Sequence, residues 1–123
     1  MIILNTSNRK IDVIIPSGTA IENAKTSYLT NVQIQRDAKH LSYGMGRYIA
    51  GLTLVKALTG LSIDDTNYPL TDTEGHSATS GSNENWKSSF RFTEEINAIC
   101  IEAANNAIDN PFTVTSSKYP TEN

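Results

Sequence analysis

The sequence is poor in several features that would commit it to a particular class of partner. It has one cysteine, Cys100, in 123 residues, which excludes an internal disulfide framework and a cysteine-rich zinc site. Lysine and arginine together number 10 against 13 acidic residues, for a formal net charge of −3. Without a basic surface, neither nucleic acid nor an anionic membrane has electrostatic support as a partner. No apolar run approaches the ~20 residues of a membrane span.

Residues 1–10, MIILNTSNRK, also lack the features of a signal peptide. They have a short apolar start, but no charged beginning, long apolar stretch or small-residue cleavage site. The sequence therefore gives no export signal and leaves the localisation unknown, although longer relatives could be exported. The length favours a single domain.

The clearest strand signal is IDVII, residues 11–15. Four of these five residues are Val or Ile, and Pro16 ends the run. A run with so little alternation is typical of a parallel strand covered on both faces. Thr19 and Glu22 have the spacing of a capping box, which predicts a helix directly after the strand.

Two further helices are predicted. One covers about residues 43–59, with Ser42 as its cap and Gly60 as its stop, and it is apolar over much of its surface. Its glycines suggest a helix start that needs a close backbone approach. The other is capped by Thr93 and ends at Asn110. Its predicted apolar face consists of Ile96, Ile99, Cys100, Ala103, Ala107 and Ile108.

This pattern predicts a single but incomplete α/β domain. Residues 11–60 carry the strand and two helices, 61–92 form a long polar loop, 93–110 the closing helix, and 111–123 a loosely held tail. A lone parallel strand needs neighbours to satisfy its backbone groups. The segments MIILN and FTVTS are the other strand candidates, too few for a complete sheet. Trp86, Phe90 and Phe92 are expected to attach the loop to the body.

Asp37 and His40 are the strongest candidates for chemistry. In a turn before a helix, residues at this spacing can face one another, so that the carboxylate accepts a hydrogen bond from the imidazole Nδ1–H. The Nε2 atom is then available as a general base. The spacing alone is common, and on that ground a turn-capping aspartate with a solvated or packing histidine is the better interpretation.

Other candidates are weaker. His76 and Glu74 form no recognisable zinc pattern with Asp37 and His40, so we expect no metal site and no cofactor. Cys100 lies on the apolar face of its helix and is read as a core residue. Arg47 is expected to reach solvent. The serines near the pair lack the strand and sharp turn of a nucleophile; the ones considered are Ser7, Ser17, Ser42 and Ser82.

Several landmarks in order resemble the C-terminal part of the SGNH (GDSL-like) hydrolases. They are IPSGTAIENAKTSYL, then RDAKHLSYGMGRYIAGLTLVKALTG, and an alanine-rich helix ending in Asn-Pro-Phe. The similarity is greatest to an uncharacterised branch, a domain of unknown function common in gut Bacteroidetes. It implies the C-terminal segment of a three-layer α/β/α (flavodoxin-like) fold and the hydrolysis of esters, often acetyl or acyl groups on carbohydrates and lipids.

The resemblance also implies roles for the pair. His40 would be the general base, and Asp37 would orient it and stabilise the imidazolium. Ala38 departs from the glycine that is usual within this motif. In this superfamily the nucleophilic serine and the oxyanion-hole residues precede the matched segment, and residues 1–10 contain no such pattern. We therefore expect the chain to be inactive alone.

A different class of function stays open at this point. The same residues could preserve a fold that serves as a non-catalytic interaction module. An exposed sheet edge would then recruit a missing N-terminal segment or a second copy of the chain. The oligomeric state separates this interpretation from a catalytic one.

Overall fold

The computed structural model describes residues 12–31, 34–35, 40–42, 44–67 and 93–120. Within these ranges the chain forms three α-helices, which we label α1 (Ser17–Lys25), α2 (Met45–Thr59) and α3 (Glu94–Asp109), with a short 3₁₀ helix at Tyr28–Asn31. All three α-helices contact one another. The architecture of the described residues is therefore a three-helix cluster.

The ends of α2 and α3 confirm the sequence prediction closely. Gly60 follows α2 in the left-handed conformation, with φ of 69°, which a glycine adopts without the steric cost of a Cβ. The Thr93 hydroxyl accepts a hydrogen bond from the Ile96 amide and so caps α3. Glu94 and Glu95 occupy the first turn of α3, where negative charge is favourable.

The capping box predicted for α1 is wrong. No side chain caps this helix, which begins at Ser17 after Pro16. The Thr19 hydroxyl instead donates a 2.6 Å hydrogen bond to the carbonyl of Pro111. Thr19 lies inside the first turn of α1 and not before it, so its hydroxyl is not at a cap position.

The core lies where the three helices meet. Its fully buried side chains include Leu29, Met45, Ile49, Ile63 and Ile99. The predicted face of α3 is buried except for Ile108, which is half-buried, and Ile101 and Ala104 join it. The amide of Asn23 is also buried: its Nδ2 donates to the Ala103 carbonyl and its Oδ1 accepts from the Thr115 amide. One polar side chain therefore joins α1, α3 and the segment after α3.

The predicted three-layer α/β/α fold is contradicted. The described residues contain no β-sheet, and only two isolated bridges pair backbone segments, Ser27 with Pro120 and Gln35 with Leu41. Residues 12–15, predicted as a strand, have no regular secondary structure, and Val13, Ile14 and Ile15 are exposed. A strand is defined by hydrogen bonds to a neighbour, and no described residue supplies them to this segment.

The segment after α3 is held more firmly than predicted. The Ser117 amide donates to the Thr26 hydroxyl, the Lys118 amide to the Glu102 carboxylate, and the Tyr28 amide to the Tyr119 carbonyl. FTVTS, residues 112–116, does not form the predicted strand. The strand candidate MIILN and the aromatic residues Trp86, Phe90 and Phe92 lie outside the described residues.

Candidate functional site

The turn that carries His40 is tied to the start of α2 by backbone contacts. Gln35 and Leu41 form an antiparallel bridge, and the Ser42 amide donates a 2.7 Å hydrogen bond to the Ile34 carbonyl. Residues 34–35 and 41–42 therefore lie side by side, and His40 is adjacent to this pairing. The position of its backbone is set by contacts on the α2 side of the turn.

Ser42 and Gly46 lock this pairing onto α2. The Ser42 hydroxyl is buried and accepts a 2.9 Å hydrogen bond from the Gly46 amide, while the Ser42 carbonyl accepts from the Arg47 amide. Ser42 thus satisfies amides of the first turn, although Gly44 occupies the cap position. A Cβ built on Gly46 would lie 2.2 Å from the Ile34 carbonyl oxygen. The expected close backbone approach is therefore confirmed at Gly46.

His40 is exposed, whereas its neighbours Leu41 and Ser42 are half-buried and buried. An exposed imidazole on an anchored turn is accessible to a substrate and to groups outside the chain. Asp37, its predicted partner, lies outside the described residues, as does Ala38. The pairing of Asp37 with His40 therefore stays a prediction.

The remaining candidates separate into two groups. His76, Glu74, Ser7 and Ser82 lie outside the described residues. Ser17 is the first residue of α1, and Ser42 is occupied by the amide of Gly46. Cys100 is fully buried, and burial raises the pKa of its thiol to about 12. A thiol held neutral in this way is a poor nucleophile and a poor metal ligand.

Metal-binding geometry does not occur in the described part of the chain, where no three His, Cys, Asp or Glu side chains come together. None of its helices is long and apolar enough to cross a membrane.

A cleft of about 400 Å³ lies on α3 and does not include His40. Polar side chains dominate its lining, and several of them are bonded to one another or to the backbone. Asn97 donates to the Thr66 carbonyl and accepts from the Tyr48 hydroxyl, and Asn105 bonds to Asp64 and Lys56. These bonds hold residues 64–66 and α2 against α3, which is a structural role.

The sequence pointed to His40 but missed what positions it. From the sequence, Ser42 is a simple helix cap, and Gly46 is one of three glycines with the same expected role. The sequence signal for this contact is the pair of glycines in YGMGR. Glycine lowers helix propensity, so two glycines at a helix start indicate a place where a neighbour leaves no room for a side chain. The rotation of the helix about its axis decides which of the two glycines lies against Ile34, and the sequence does not show this rotation.

Comparison with known families shows to which family the chain belongs. Residues 4–107 match the model of DUF4886, described as a domain of unknown function. The chain belongs to the DUF4886 family. A search of curated proteins finds no match. The predicted resemblance to a Bacteroidetes domain of unknown function is confirmed at this level, and neither comparison names an activity.

A solved structure is similar to this DUF4886 chain. It is the crystal structure of a DUF4886 family protein from Bacteroides uniformis, with 33% sequence identity and a TM-score of 0.62. The similarity covers 86% of this chain but 33% of that protein. The present chain thus spans about one third of the length of this relative.

Proposed function

We propose that this chain contributes the general base, His40, and its orienting carboxylate, Asp37, to the site of an ester hydrolase formed by a longer DUF4886 protein. The observation that carries the proposal is the exposure of His40 on a turn that is anchored to α2. The D-x-x-H segment and its neighbours also resemble the corresponding part of SGNH hydrolases. Acyl esters, including acetylated carbohydrates, are the substrate class that this resemblance supports.

The proposed chemistry follows the logic of a serine triad. Nε2 of His40 accepts the proton of a serine hydroxyl as the serine oxygen attacks the ester carbonyl carbon. The imidazolium then gives this proton to the alkoxide as the carbon–oxygen bond of the ester breaks. Water then attacks the carbonyl carbon of the acyl-serine while Nε2 of His40 accepts its proton. The imidazolium returns this proton to the serine oxygen as the carboxylic acid is released. Asp37 holds the imidazole tautomer and stabilises its charge throughout.

The serine is expected from the part of the longer protein that this chain does not match. That part makes up about two thirds of the Bacteroides uniformis relative, since the match covers 33% of it. Among the serines described here, Ser42 is committed to the Gly46 amide. The isolated chain should therefore hydrolyse p-nitrophenyl acetate no faster than its His40→Ala variant, apart from the weak reactivity of any exposed imidazole.

The decisive experiment uses the longer Bacteroides uniformis protein and a fluorophosphonate probe, which labels only activated serines. Replacing the histidine aligned with His40 by alanine should abolish labelling and lower kcat on p-nitrophenyl acetate by about 10³-fold or more. Replacing an exposed histidine outside the motif gives the matched control and should change neither readout. Full labelling after the change at the aligned histidine would refute the proposal.

A non-catalytic interaction module is the second candidate. It is favoured by the apolar residues exposed on α2, which include Leu54, Val55 and Leu58. This candidate predicts that the longer protein is not labelled by the probe at all, with or without the histidine.

A further inference from the structure

Helix α2 has two apolar faces, and only one of them is covered by the described residues. Its buried residues are Met45, Gly46, Ile49, Leu52 and Thr53. The opposite side carries large exposed side chains: Leu54 is 42% exposed, Val55 48% and Leu58 59%, and Leu61 just after the helix is 64% exposed. A helix with apolar side chains on both sides is ordinarily covered on both sides.

Helical geometry places the exposed residues within α2, which are Leu54, Val55 and Leu58, on one side. At about 100° per residue, Leu54 and Leu58 lie about 40° apart around the axis, and Ala50 and Gly51 precede them on the same side. α2 has two charged residues. Lys56 is directed to α3, where it bonds to Asn105, and Arg47 lies at the first turn. The outward face is therefore uncharged between residues 50 and 58, while Arg47 lies on the same side at the N-terminal end of the helix.

Gly51 adds a second property to this face. A Cβ built on Gly51 would meet nothing within 4 Å, so no described atom occupies the space above it. A glycine and an alanine between larger apolar side chains leave a shallow depression on a helix. Such a depression admits the side chains or backbone of a closely packed neighbour.

The length of the relative indicates what covers this face of α2. The Bacteroides uniformis protein is about three times as long as the segment matched here, and it shares 33% of its residues with this chain over that segment. In that protein, most of the polypeptide is available to cover the equivalent of α2. A contiguous exposed apolar patch is typical of a surface that contacts another apolar surface.

We propose that the outward face of α2, formed by Ala50, Gly51, Leu54, Val55 and Leu58, is the docking surface for the part of a longer DUF4886 protein that this chain does not match. The contact is apolar and uncharged, and its partner surface must be apolar as well. The inference concerns the interface alone and holds whether or not the site at His40 hydrolyses esters.

The test compares one substitution in two proteins. Leu58→Glu in the present chain should lower the urea midpoint only slightly, because Leu58 is already 59% exposed. The same substitution at the aligned position of the Bacteroides uniformis protein should lower its midpoint clearly, because the charge would enter a covered apolar contact. Thr30→Glu, an added charge at an exposed position outside α2, is the control and should be neutral in both.

Two results would overturn the proposal. One is an equal, small effect of the glutamate in both proteins, which would mean that this face is solvated in the longer protein. The other is a stable dimer of the present chain in sedimentation equilibrium that Leu58→Glu dissociates, which would make a second copy the occupant. A monomer in both forms, with destabilisation confined to the longer protein, supports it. The probe-labelling experiment above is independent of all these results.

Discussion

Gly46 is the residue on which the position of the His40 turn depends. Its missing side chain lets the first turn of α2 lie against the Ile34 carbonyl, and its amide satisfies the buried hydroxyl of Ser42. Leu41 and Ser42 would also crowd a side chain here, at 3.0 and 3.1 Å from the built Cβ. The nearest obstruction, the Ile34 carbonyl oxygen, is backbone and cannot yield easily.

Gly46→Ala should therefore destabilise the chain by about 1–3 kcal/mol, since it overpacks a rigid contact. Gly51→Ala is the matched control in the same helix. Its added methyl group meets no atom, so relief of the entropic cost of glycine should stabilise the chain by about 0.5–1 kcal/mol. Urea unfolding followed by circular dichroism measures both. Effects of the same sign would contradict this account of the turn.

Between elements, the hydroxyl of Tyr28 joins the 3₁₀ helix to α3. It donates a 2.7 Å hydrogen bond to the Glu95 carboxylate. Burial of the ring and this hydrogen bond to a negative group raise the pKa of Tyr28 from 10 to about 12. Because the folded state holds this proton more tightly, the associated stability is complete below pH 10 and is lost as the pH rises towards 12.

A phenolate titration can isolate this group. The difference in absorbance between the wild type and Tyr28→Phe should titrate near pH 12, and Glu95→Gln should move that titration towards 10 by removing the negative charge. Glu94→Gln, one residue away and not among the causes of the shift, is the control and should leave it in place. A difference titration already centred at pH 10 would show that the contact does not persist in solution.

The elements that sequence predicted well are those whose signals are local. Thr93 caps α3 and Gly60 ends α2 because each acts on residues of its own helix. Thr19 failed as a cap because α1 begins two residues earlier, at Ser17, and the Thr19 hydroxyl donates to Pro111, a partner that spacing within the helix cannot reveal. The segment at 12–15 failed as a strand because strand formation depends on a neighbour, and its apolar letters are equally consistent with a contact outside the described chain.

The candidate site was predictable in the same limited way. The D-x-x-H spacing drew attention to His40, and its exposure agrees with a group that meets a partner. The anchoring of the turn depends on Ile34, which lies in a segment that the sequence predicts as a loop. Its buried side chain and its carbonyl contact with Ser42 are tertiary properties, so no window of sequence could have predicted them.

For the molecule as a whole, Cys100 is a probe of cooperative opening. It is the sole cysteine of the chain, fully buried at the centre of the core, with a thiol pKa of about 12. In native buffer it should not react with a disulfide reagent over many minutes, and its labelling should increase with urea in step with the loss of helicity. The comparison is a Cys100→Ala chain with Ala98→Cys, whose half-buried position should react readily. Rapid labelling of native Cys100 would mean that the core opens without global unfolding.

The bonds between α1 and the segment after α3 have a consequence for the order of events during synthesis. Thr19 and Asn23 bond to Pro111 and Thr115, each across 92 positions of the chain. At roughly 5–20 residues per second, a ribosome makes Asn23 about 5–20 seconds before the amide that it will hold. These polar contacts of α1 can therefore form only after α3 and the segment that follows it have been translated.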